Sequence, residues 1–122
     1  MAKPAQIRKV SHVRYEDCQT PAERAAHRII YEFYPSGPGE RDEVTIIGEM
    51  ARVVRSFKSF DYESLLKQDA SAACDMYFRD LMNPIMHLIY CGRCNDDNIM
   101  TGVMKEVIKI LEELTSIPDP LA

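Results

Sequence analysis

The sequence predicts an all-α protein, a compact bundle of four to five helices closing in a C-terminal helical hairpin. Three observations carry that expectation. Apolar residues recur at intervals of three and four in three separate stretches, the period of one helix face. Capping side chains, twice reinforced by an early acid or proline, stand ahead of those stretches. No segment alternates apolar and polar residues as a half-buried strand does. The 122 residues suffice for one domain, 1–122, with residues 1–19 set apart as a basic, partly ordered arm.

That arm carries Lys3, Arg8, Lys9 and Arg14 with no acid through residue 15, and its apolar residues Ile7, Val10 and Val13 are too sparse for a helix. Thr20-Pro21-Ala22-Glu23 then combines a capping box with proline at the first helical position. The helix it opens is expected to run to about Tyr34, with Ala22, Ala25, Ala26, Ile29, Ile30 and Phe33 inward. Small residues in its first half permit close packing on a neighbour. Residues 35–41 hold two prolines and two glycines and form a loop. From Asp42 to about residue 58 the inward set is Ile46, Met50, Val53 and Phe57, continuing to Phe60, with Arg52, Arg55 and Lys58 facing away. Asp61 is placed to cap a short helix over residues 62–68.

The hairpin spans residues 69–116 and folds at Cys91-Gly92-Arg93-Cys94. Its first arm keeps a stripe of Ala70, Cys74, Tyr77, Leu81, Ile85 and Leu88 running through Pro84. The unbroken stripe favours a kinked helix over a break in which Asn83 caps a new one. Residues 85–91 are apolar nearly all round, which predicts burial of that turn and a half, His87 included. The second arm has an inward row of Ile99, Val103, Val107, Ile110 and Leu114, and beside it a second row of Met100, Met104, Ile108 and Leu111. Asn95 is its expected cap, and Asp96 and Asp97 put negative charge at the positive end of the helix dipole. In a compact bundle the two rows would be covered by the first arm and by the helix over 42–58.

Composition excludes several classes. No apolar run approaches the 18 or so residues of a membrane span, and the first residues lack a secretory core, so a cytoplasmic location with reduced thiols is expected. The net charge of −4 argues against wholesale wrapping by nucleic acid.

Candidate chemistry is sparse. Cys91 and Cys94 form a CxxC pair, but Cys91 closes a helix, where the dipole opposes a thiolate, and no βαβ pattern surrounds it. With His87 one turn earlier the pair offers three zinc ligands of the four required; Cys18, Cys74 or His27 would have to arrive by folding. No cofactor is therefore expected, and a thiol or zinc-dependent protein built on His87, Cys91 and Cys94 stands as a remote alternative. No nucleophile, base and acid stand at a recognisable spacing, so an enzyme is not expected. Arg8, Lys9 and Arg14, if folded beside Arg52, Arg55 and Lys58, would make a phosphate-binding face and a nucleic-acid accessory factor. The favoured expectation is a non-enzymatic protein-binding module: a regulator, inhibitor or adaptor, with a homodimer or other homo-oligomer among its partners. Two features point there. Five of seven methionines, Met76, Met82, Met86, Met100 and Met104, fall in the hairpin, and the last helix has an apolar face two rows wide. Met100, Met104, Ile108 and Leu111 are the expected contact residues.

Overall fold

The computed structural model describes residues 13–35, 37–38, 42–90 and 96–120. All regular structure among them is helical. A 3-10 turn, Tyr15–Asp17, precedes α1, Pro21–Phe33. Next come α2, Glu43–Lys58, and α3, Tyr62–Gln68. α4 begins as Ala70–Tyr77, passes through a π-helical turn, Phe78–Met82, and resumes as Asn83–Tyr90. The last helix, α5, is Asp97–Thr115.

The helix starts follow from local chemistry. Thr20 accepts from the Glu23 amide while the Glu23 carboxylate reaches back to the Thr20 amide, a complete capping box. Asp42, Asp61 and Asp69 cap α2, α3 and α4. The expected Asn95 cap lies outside the described residues; the cap of α5 is Asp96, whose carboxylate accepts from the amides of Asn98 and Ile99 at 2.9 and 3.2 Å. Aspartate there brings a full charge to the helix's positive end, which asparagine does not.

At Pro84 the helix continues. Asn83 has φ −60° and ψ −47°, helical values, so it caps nothing, and its amide donates five residues back to Phe78. Proline removes one amide and crowds the carbonyl four residues behind it, and the π turn accommodates both.

The helices are layered α5–α1–α2–α4, and α3 packs against the start of α4. α1 is central because Ala22, Ala25 and Ala26, each at most 3% exposed, let both neighbours approach its backbone. The chief cover of α5 is thus α1, rather than the expected first hairpin arm and residues 42–58. An Arg28–Glu113 ion pair at 2.5 Å joins α1 to α5 at the surface. The Tyr34 hydroxyl, donating to the Ile89 carbonyl, ties the end of α1 to α4.

The core combines Ile29, Ile30, Met50, Val54, Tyr77, Leu81, Ile85, Ile89, Val107 and Leu111. Several expected core positions move outward. Phe60 is exposed because α2 ends at Lys58, and Val53 and Leu114 are half-buried. On α4 the buried row is Ala73, Tyr77, Leu81, Ile85 and Ile89; Ala70 is exposed and Cys74 and Leu88 are half-buried. His87 is exposed, not buried, since that row turns it to the far side of the helix. Beyond α5, Ser116 adopts a left-handed conformation (φ 61°), and Ile117 turns back into the core.

Candidate protein-binding surface

The expected contact row on α5 divides along its length. Leu111 is 0% and Ile108 8% exposed, so both belong to the intramolecular core. Met100 and Met104 are half-buried, and Ile99, expected to point inward, is 51% exposed. Helix length supplies the reason. α1 has 13 residues and α5 has 19, and they run antiparallel, since Tyr31 meets Glu43 at the start of α2 while Lys58 at its end meets Thr115. α5 is six residues longer than α1, about 9 Å at 1.5 Å per residue, and its burial begins only at Val103, which is 5% exposed. Cover from α1 is missing where Ile99 lies.

The projecting turns have a defined surface. The Asp96 carboxylate fixes the Ile99 amide, and Gly102, three residues on and on the same face, is exposed with open space where a Cβ would be. Glycine in an exposed helix interior costs about 1 kcal/mol relative to alanine. No contact among the described residues of the fold requires it. The tip of α5 thus carries an exposed Ile99 beside the half-buried Met100, with open space at Gly102 one turn along.

Of the cations expected at a nucleic-acid contact, four are described and three of these are engaged. Arg8 and Lys9 lie outside the described residues. Arg14 pairs with Asp17 at 3.1 Å beside the 3-10 turn. Arg52 pairs with Glu49 at 2.5 Å, and the Lys58 ammonium donates to the Thr115 carbonyl at 2.8 Å. Arg55 is exposed. Such pairing weakens the field a phosphate backbone would meet. For the zinc alternative, Cys91 and Cys94 are outside the described residues, and among the described residues no three His, Cys, Asp or Glu side chains gather as a ligand set. Cys18 and Cys74 are free thiols, and burial, the largest cause, pushes the Cys18 thiol up. Among the described residues no helix is long and apolar enough to cross a membrane.

One cluster was invisible to periodicity. Glu43, the first residue of α2, is 0% exposed. Its carboxylate accepts from the Val13 amide at 2.8 Å and the Tyr31 hydroxyl at 2.7 Å. The Val13 carbonyl accepts from His27 Nε2 at 2.7 Å, which places the proton on that nitrogen. The His27 ring stacks on Tyr31 with centroids 4.6 Å apart, and Tyr15 meets its edge at 5.8 Å. Burial, then the bond to Glu43, pushes the Tyr31 phenol up to about 12. The cluster staples the chain ahead of α1 onto α1 and α2. The signal available in sequence was only an acid at a helix start, ordinarily a solvated dipole partner.

Comparison of the chain with family models, with curated proteins and with solved structures finds no match in any of the three.

Proposed function

We propose that the chain is a small non-enzymatic module that acts by binding another protein, as a regulator, inhibitor or adaptor, through the projecting start of α5. The observation that supports this reading is Ile99, a large aliphatic side chain 51% exposed beside two half-buried methionines. Methionine adapts its shape to a partner at low cost, and a helix face of this kind suits a groove or a second helix. Gly102 allows the partner's backbone close approach.

The test places a photo-crosslinking side chain at position 99 of the full chain, with position 112 on the exposed side of α5 as control. A specific adduct at 99, absent at 112, displaced by excess parent chain but not by excess Ile99→Glu, supports the proposal. Sedimentation shows whether that partner is a second copy. A chain that stays monomeric and forms the same adducts from both positions overturns it.

A further inference from the structure

At the opposite end of α5, where α2, α3 and the segment after α5 meet, a cleft of about 260 Å³ opens. Phe57, Phe60 and Tyr62 line it, and Ile117 and Pro118 close the far wall. Phe57, Tyr62 and Ile117 are each 4% exposed, which makes the floor part of the packed core, whereas Phe60 stands 46% exposed on the rim.

The charge in this cleft leans negative. Asp61 and Glu63 contribute carboxylates. α2 and α5 both bring their carboxyl-terminal ends, each carrying roughly half a negative charge. The start of α3 is the one positive pole, and Asp61 already caps it, accepting from the Ser64 amide at 3.3 Å and hydroxyl at 2.7 Å. Those bonds hold the Asp61 carboxyl below the usual carboxylate range. Lys58, the one basic side chain of the lining, is committed to the Thr115 carbonyl. It shows what the end of α5 accepts: an alkylammonium donating to a last-turn carbonyl. Behind the floor the Tyr62 and Tyr77 rings pack with centroids 5.6 Å apart, and their buried hydroxyls have no hydrogen-bond partner among the described residues.

We infer that this cleft binds a basic side chain, lysine or arginine, of a partner peptide. The aliphatic stem lies over Phe57 and Phe60, and the charged head meets the aromatic faces, Glu63 and the end of α5. This inference is independent of the reading of the α5 tip.

The probe is a labelled peptide with one arginine between leucines, its glutamine counterpart, and n-butylammonium as a free cation, each titrated against the full chain by anisotropy or competition. The arginine peptide should bind saturably, at least tenfold tighter than the glutamine peptide, and weaken as salt rises. Phe60→Ala and Glu63→Gln, both at exposed positions, should each reduce affinity at least fivefold with helix content unchanged, and Ile99→Glu should leave it unchanged. Amide shifts should concentrate at residues 57–63 and 116–117. Equal affinity for both peptides, indifference to both cleft substitutions, or shifts centred elsewhere overturns the inference. Binding of n-butylammonium as tight as that of the peptide overturns the assignment to a peptide.

Discussion

Replacing Glu43 by alanine should be among the most damaging changes outside the aliphatic core. The side chain is 0% exposed and, among the described residues, accepts two hydrogen bonds, one from the backbone 30 residues earlier and one from Tyr31. Truncation leaves the Val13 amide and the Tyr31 hydroxyl without this acceptor. A buried donor without its acceptor costs about 1–3 kcal/mol, and both donors here are partly buried, which favours the lower half of that range for each. Loss of the acid at the start of α2 adds a few tenths. The sum is about 2–4 kcal/mol. With a urea m-value of about 1.5 kcal/mol/M, the unfolding midpoint followed by helix circular dichroism should fall by about 1–3 M. Tyr31→Phe, which removes one donor and keeps the ring, should cost only about 1 kcal/mol, and the double substitution should cost less than the sum of the two. Buried charges do not always stabilise. A Glu43→Ala midpoint within about 0.3 M of the parent, or strict additivity with Tyr31→Phe, would refute the claim that this carboxylate holds the segment ahead of α1 in place.

Three further outcomes follow from the same structure. Burial pushes the phenols of Tyr31 and Tyr62 up to about 12, and that of Tyr77 further, so the folded state favours the neutral form. The stability this contributes is complete below the ordinary tyrosine pKa near 10 and is lost as pH rises toward 12, so near-ultraviolet phenolate absorbance should grow together with loss of helix there. Leu111→Ala should cost about 2–5 kcal/mol, and paired glutamates at Met104 and Ile108 should unfold the chain, while Ile99→Glu should stay within about 0.5 kcal/mol of the parent in the same urea titration. Cys91→Ser with Cys94→Ser should change stability by no more than about 1–2 kcal/mol; stoichiometric zinc in the purified parent, with unfolding by a chelator, would contradict this.

What could be read from sequence was what local chemistry decides. The capping box at Thr20, the Asp61 cap and much of the apolar rows of α1, α2 and α5 depend on neighbours within four residues. What could not be read depends on where other helices stop. Ile99 belongs to the same row as Val103 and Val107, yet it is exposed because α1 is shorter than α5. Ile108 and Leu111 lie in the row proposed for contact and are buried because α1 reaches them. Glu43 owes its burial to Val13 and Tyr31, positions no periodic pattern connects.

The π turn in α4 also resolves a problem of phase. Ala73, Tyr77, Leu81, Ile85 and Ile89 are all at most 1% exposed, a repeat of four held through the whole helix. An α-helix advances about 100° per residue, so such a repeat slips by about 40° at each step and about 160° over the row, enough to carry Ile89 to the far side. The wider turn at Phe78–Met82 absorbs one residue, about 100° of that slip, and leaves about 60°, so both ends of the row stay on one face. Forcing that turn into a regular α-helix with no residue removed would rotate everything after it by the same angle and swing Ile85 and Ile89 away from α2. Deleting one residue within the turn would remove the extra residue and the wide turn together, and leave both facing α2.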